Sequence, residues 1–77
     1  MSRVVIVENN EIIREGLMTL LNDNTNLNCV AAYDRCEYLL ENYDEVNPDF
    51  ILIDLGLPGM SGIEGIRRIR TLSKNTH

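Results

Sequence analysis

The sequence has few cysteine, proline and aromatic residues: its 77 residues include 2 Cys, 2 Pro, 1 Phe and no Trp. Two cysteines do not make a disulfide framework, and Cys29 and Cys36 fit no metal-binding or redox spacing. We expect both to be buried small hydrophobic residues in a reducing compartment. No apolar run is long enough to span a membrane, and the apolar run 4–7 is too short for a signal-peptide core. These absences predict a cytoplasmic location.

Acidic residues outnumber basic ones, with 12 Asp and Glu against 7 Lys and Arg and a net charge of −5. This balance gives no electrostatic support for nucleic-acid binding by this segment. The basic cluster at Arg67, Arg68 and Arg70 is interpreted as a solvated helix face. The length allows one small domain, which would bury only about 60% of its unfolded surface and be marginally stable as a lone monomer.

Three apolar runs alternate with amphipathic segments, which predicts the order β1-α1-β2-α2-β3-α3. The runs 4–7 and 50–53 predict strands that are buried on both faces, and the more polar run 27–32 predicts an edge strand. Such alternation implies a doubly wound parallel α/β sheet with right-handed crossovers. With the two most apolar strands adjacent, the strand order is 2-1-3, the first half of a flavodoxin-like sheet.

Capping residues place the starts of the three predicted helices. Asn10 is the expected N-cap of a helix over about 11–22. Asp34 and Glu37 have capping-box spacing for a second helix, and Ser61 and Glu64 have it for a third. The apolar stripes are Ile13, Leu17, Leu20 and Leu21 on the first helix and Cys36, Leu39, Leu40 and Tyr43 on the second.

Polar residues follow the two central strands where each strand ends. Glu8 and Asn9 follow the first strand and Asp54 follows the third, at the switch point where such sheets bind ligands. Their oxygen atoms suit Mg²⁺, and a metal would leave the Asp54 carboxylate able to attack a phosphoryl group. Taken singly, Asp54 is also explained as a turn former and Glu8 as a solvated loop acid. Their joint placement favours a functional site, because packing poorly explains an acid that closes a buried strand.

Two segments carry a resemblance to a known family. Val4-Val-Ile-Val-Glu8-Asn9 and Pro48-Asp-Phe-Ile-Leu-Ile-Asp54-Leu-Gly-Leu-Pro58-Gly-Met-Ser-Gly62 resemble the receiver domain of two-component response regulators. The resemblance covers the whole chain. The stretch 57–64 is most similar to regulators that carry a C-terminal helix-turn-helix domain, which implies transcriptional regulation by the full-length parent.

The resemblance implies a role for each matching residue. Asp54 matches the aspartate that accepts a phosphoryl group from a partner histidine kinase, which makes the chain a signalling domain whose only chemistry is its own phosphorylation. Glu8 and Asn9 match the acidic pair that helps to bind Mg²⁺, and the backbone carbonyl of Gly56 matches a third protein ligand. Because Asn9 adds no charge, we expect weaker Mg²⁺ binding than in a typical receiver. The alternative is a phosphorylation-independent pseudo-receiver or protein-assembly module.

The resemblance also implies that residues 1–77 are the N-terminal portion of a single receiver domain. In the family, the switch Ser/Thr follows a fourth strand and a Lys follows a fifth, so we expect this segment alone not to complete the switch. The third strand would then be an apolar sheet edge, which natural proteins seldom leave bare. We therefore predict that two copies pair through it, antiparallel about a two-fold axis.

Overall fold

Three parallel strands alternate with helices along residues 1–24 and 26–72, the part of the chain that the computed structural model describes. The elements are β1 (Ser2–Val7), α1 (Glu11–Asn22), β2 (Leu27–Tyr33), α2 (Cys36–Glu41), α3 (Tyr43–Val46), β3 (Phe50–Ile53) and α4 (Gly62–Leu72). The strand order is β2-β1-β3, which confirms the predicted 2-1-3 sheet. In register, Val7 pairs with both Tyr33 and Ile53, so the carboxyl ends of all three strands lie level.

The core lies around β1, whose residues 4–7 are no more than 2% exposed because the strand is central and covered on both faces. Alternate side chains of a strand point to opposite faces. Val5 and Val7 join an apolar cluster under the helices that follow β2. The other members of this cluster are Cys36, Leu39, Tyr43, Leu57 and Ile69. Of the two free cysteines, Cys36 is therefore buried as predicted, whereas Cys29 is half-buried.

The opposite face of the sheet is covered less completely. Helix α1 packs against β2 and β1, yet none of its residues is buried. Ile13 and Leu20, from the predicted apolar stripe, are 51% and 69% exposed. Half of the predicted apolar stripe is therefore largely exposed to solvent in the part of the chain that the structure describes.

The second predicted helix is interrupted, and its predicted capping box is wrong. The chain turns at Asn42, which separates α2 from the short α3. Arg35 is the N-cap of α2 and makes no side-chain capping bond. The Asp34 carboxylate instead pairs with Arg35 at 3.3 Å, and Glu37 accepts a hydrogen bond from the backbone of Met60. The two residues have the spacing of a capping box, but both carboxylates interact with other partners.

The predicted N-cap at Asn10 is confirmed, and the capping box predicted for Ser61 and Glu64 forms only in its Ser61 half. The side chain of Asn10 accepts a hydrogen bond from the backbone N–H of Ile13 at 3.0 Å, at the start of α1. Ser61 Oγ accepts one from the N–H of Glu64 at 3.2 Å, at the start of α4. The Glu64 carboxylate does not return to the cap but pairs with two arginines of its own helix, Arg67 and Arg68, on an exposed face.

Strand β3 forms one edge of the described sheet, with β1 as its neighbour. Phe50 and Leu52 are each 43% exposed, while Ile51 and Ile53 pack against the core cluster. The apolar edge is therefore present in the described residues, and the pairing of two copies through it stays a prediction. Within the same residues, no helix is both long and apolar enough to cross a bilayer.

Candidate functional site

Backbone hydrogen bonds fix the two acids at the carboxyl end of the sheet. The N–H of Asp54 donates to the carbonyl of Val7 at 2.9 Å, which extends the β1–β3 ladder by one residue. The N–H of Glu8 donates to the carbonyl of Tyr33 at 2.9 Å, which extends the β1–β2 ladder in the same way. The positions of both acids are therefore set by the sheet and not by a loose loop.

Glu8 and Asp54 line one groove with a volume of about 290 Å³ between the sheet and α1. Its remaining walls are apolar, from β1, β3 and α1: Ile6, Val7, Leu17, Leu52 and Ile53. Two acidic residues distant in sequence thus line the same, largely apolar groove. This is the convergence that the strand ends predicted.

Asp54 is half-buried and is oriented by its own turn. Its Oδ1 accepts a hydrogen bond from the N–H of Gly56 at 2.9 Å, so Asp54 forms a turn as well as lining the groove. A Cβ at Gly56 would lie 3.7 Å from that oxygen, an ordinary contact. Close packing therefore does not require glycine at position 56.

Gly62, at the start of α4, is required by packing against Asp54. A Cβ there would lie 2.6 Å from the carbonyl oxygen of Asp54 and 2.8 Å from the Cα of Leu55. Neither backbone atom can rotate away. The first turn of α4 is thus pressed against the backbone of the site, and only glycine permits it.

Glu8 is held by the start of α1, while Asn9 is exposed. Glu8 Oε2 accepts a hydrogen bond from the N–H of Asn10 at 3.0 Å. An anion at a helix N-terminus is favoured by the helix dipole and by the free N–H groups there. Asn9 follows Glu8 directly in the chain, and its side chain is exposed to solvent.

Sequence reasoning missed Arg14, whose side chain binds the backbone of the segment between β1 and α1. Its Nη1 donates to the carbonyl of Glu8 at 2.9 Å and to that of Asn9 at 3.4 Å. A guanidinium therefore binds the backbone of both predicted metal-site residues. One signal was available, since Arg14 is the only basic residue in the range 4–34.

The oxygen atoms of this site fit Mg²⁺. No cluster of three or more His, Cys, Asp and Glu side chains occurs among the described residues. Mg²⁺ does not need one, because it keeps several waters and usually takes one or two protein carboxylates together with phosphate oxygens. Glu8 and Asp54 provide that number of carboxylates in one groove.

The chain has a counterpart among known protein families: residues 4–77 match the family described as response regulator receiver domain. The chain belongs to this family. Receivers are the signalling domains of two-component systems. Receiver domains interact with histidine kinases and generally use Mg²⁺ for phosphorylation.

Individual relatives agree with this assignment. The receiver is 36% identical over 70 residues to the transcriptional regulatory protein YdfI of Bacillus subtilis, covering 91% of this chain and 33% of that protein. It is 33% identical over 69 residues to the response regulator GacA of Pseudomonas viridiflava, covering 90% and 32%. The chain thus spans about a third of the length of these curated relatives.

Solved structures give the same fold. A two-component response regulator of the LuxR family from Aurantimonas sp. SI85-9A1 superposes with a TM-score of 0.92 at 31% identity, over 100% of this chain and 55% of that one. The isolated receiver domain of RcsB from Salmonella enterica serovar Typhimurium gives a TM-score of 0.89 at 22% identity, over 97% and 56%. At that lower identity the likeness shows the fold alone.

Proposed function

We propose that this receiver accepts a phosphoryl group on Asp54 from a partner histidine kinase. The observation that carries the proposal is the convergence of Glu8 and Asp54 in one groove at the switch point of the sheet. In the proposed step, an oxygen of the Asp54 carboxylate attacks phosphorus and an acyl phosphate forms. The bond from phosphorus to the kinase imidazole breaks, and its electron pair stays on the imidazole nitrogen.

We propose Glu8, Asp54, the carbonyl of Gly56 and the side chain of Asn9 as the groups that hold Mg²⁺. The ion would neutralise the repulsion between two anions, the carboxylate and the phosphoryl group. The Gly56 N–H bond fixes the orientation of the Asp54 carboxylate, and Arg14 fixes the Glu8 backbone. Asn9 provides an oxygen without charge, so the affinity for Mg²⁺ is expected to be lower than in receivers with two acids before α1.

Intact-mass measurement after incubation with acetyl phosphate and Mg²⁺ tests the proposal. One added phosphoryl group is expected on the protein and none on Asp54→Asn. Asp44→Asn is the matched control, because Asp44 is an exposed residue of α3, outside the groove residues, and should label normally. If the protein gains no phosphoryl group while another receiver labels in parallel, the phosphoacceptor assignment fails.

A second candidate function is assembly without phosphorylation, and the apolar edge favours it. Leu52 of β3 is 43% exposed, and Ile13 and Leu20 of α1 are more exposed still. A second copy that pairs antiparallel with β3 would continue the sheet and cover the apolar edge at Leu52. Sedimentation should then give a dimer mass that does not change with Mg²⁺ or acetyl phosphate, whereas a monomer would exclude this candidate.

We also propose that residues 1–77 are the N-terminal portion of a single receiver domain in a cytoplasmic transcriptional regulator. The match to only 56% of an isolated receiver domain supports the first part. The name of the relative YdfI, a transcriptional regulatory protein, supports the second. Two free thiols agree with a reducing compartment. Sequencing the encoding frame past codon 77 tests this, since an immediate stop would contradict it.

A further inference from the structure

Glu37 connects α2 to the β3–α4 loop, defined here as residues 54–61. Glu37 Oε2 accepts a hydrogen bond from the backbone N–H of Met60 at 3.3 Å, across 23 positions of sequence. The carboxylate stands in the first turn of α2 but does not cap its own helix. It binds instead to the loop that begins at Asp54.

The loop is shaped to receive this carboxylate. Gly59 has a φ of +68°, a conformation that glycine adopts without strain. A Cβ at Gly59 would lie 2.6 Å from Glu37 Oε2, so a side chain would also displace the carboxylate. Glycine at position 59 therefore permits both the local backbone conformation and the close approach of the Glu37 carboxylate.

The second carboxylate oxygen is unusual. Glu37 Oε1 is buried and has no hydrogen-bond partner among the described residues. A buried polar atom without a partner costs about 1–3 kcal/mol. The neighbouring thiol of Cys36 reflects the same surroundings, because burial and the charge of Glu37 raise its pKa. The hydrogen bond from Met60 to Oε2 is therefore the contact through which this carboxylate can act on the loop.

We propose that Glu37 is a positioning residue that fixes the β3–α4 loop relative to Asp54. The loop carries Gly56, whose N–H donates to Asp54 Oδ1, so the bond to Met60 constrains the segment that holds the Gly56 backbone against the Asp54 carboxylate. The part of this inference that concerns Mg²⁺ rests on the function proposed above. The part that concerns the loop does not.

Amide hydrogen exchange and Mg²⁺ titration of Glu37→Met test the inference. Methionine keeps the length of the side chain and removes the acceptor, so the Met60 amide should exchange about tenfold faster. Mg²⁺ affinity, followed through the Gly56 amide shift, should fall about tenfold, as expected when a group that supports metal ligands is lost. Glu41→Met is the matched control, since Glu41 is an exposed acid of the same helix and its loss should change neither quantity.

A second variant protects the test against a general loss of folding. Gly59→Ala should also speed exchange of the Met60 amide, because its methyl group displaces the carboxylate from the other side. In Glu37→Ala the space is vacant, so the added effect of Gly59→Ala on that amide should be smaller than in the parent protein. Equal effects in both backgrounds would overturn the inference.

The outcomes separate this inference from the proposed function. If Glu37→Met and Glu41→Met give the same Met60 exchange, Glu37 does not position the loop, whether or not Asp54 is phosphorylated. If Met60 exchange rises only in Glu37→Met while the parent protein neither binds Mg²⁺ nor labels, the positioning role stands and the proposed phosphoacceptor function fails.

Discussion

Replacing Gly62 with alanine would place a methyl group against the backbone of the site. The new Cβ would lie 2.6 Å from the carbonyl oxygen of Asp54, 2.8 Å from the Cα of Leu55 and 2.9 Å from Cγ2 of Ile53. Two of these atoms are backbone, so relief requires a shift of α4 or of the segment after β3. Overpacking of this kind costs about 1–3 kcal/mol, and we take the upper half of that range.

Alanine also favours a helix over glycine, by up to about 1 kcal/mol, which offsets part of this cost. The free energy of unfolding of Gly62→Ala should therefore fall by about 1–2 kcal/mol. Gly16→Ala is the matched control, because Gly16 lies inside α1 and a Cβ added there would meet no neighbouring group within 4 Å. That variant should gain about 0.5–1 kcal/mol from the same helix preference.

Urea unfolding of the two variants measures this contrast directly. The same substitution in two helices should change stability with opposite signs, and the two midpoints should lie on either side of the parent protein. If Gly62→Ala is as stable as Gly16→Ala, α4 does not press against the Asp54 backbone, and the account of the loop is wrong.

Three further predictions concern residues around the sheet. Arg3 donates to carbonyls at the C-terminal end of α3, so Arg3→Met should lower the free energy of unfolding by about 1–3 kcal/mol in urea titration. Arg14→Met should lower it by about 1–2 kcal/mol, whereas the exposed Arg70→Met should leave it unchanged. Burial raises the pKa of the Cys36 thiol, so its folded form keeps the proton longer than the unfolded form. The free energy of unfolding should then fall as pH rises above the ordinary thiol pKa, and it should fall less in Cys36→Ala. Urea titrations at several pH values measure this, and an equal pH dependence in the two proteins would contradict it.

The central sheet could be predicted because its signals are local and strong. Apolar runs at 4–7 and 50–53 identify two adjacent strands, and alternation with helices predicts their parallel order. The expectation that both are buried on two faces holds for β1 but is wrong for β3, where Phe50 and Leu52 are exposed at the edge of the described sheet. The same logic brought Glu8 and Asp54 together, since parallel strands end at one edge. These features depend on patterns within short segments and on rules that hold for parallel sheets in general.

The supporting contacts could not be predicted, because they depend on tertiary distances. Glu37 has capping-box spacing from Asp34, yet it accepts a hydrogen bond from Met60. No sequence pattern indicates that these two residues lie close together. Arg14 reaches back to the acid loop only because α1 begins directly after it. The break at Asn42 could not be predicted either, because the stripe of apolar residues runs continuously through it.

Locating the modified residue tests the central claim most directly. Borohydride reduces the acyl phosphate of an aspartate to homoserine, which peptide mass spectrometry identifies by position. After incubation with acetyl phosphate and Mg²⁺, followed by borohydride, we predict homoserine at position 54 and at no other aspartate. Homoserine at another position, or none while a second receiver is converted in parallel, would contradict the account.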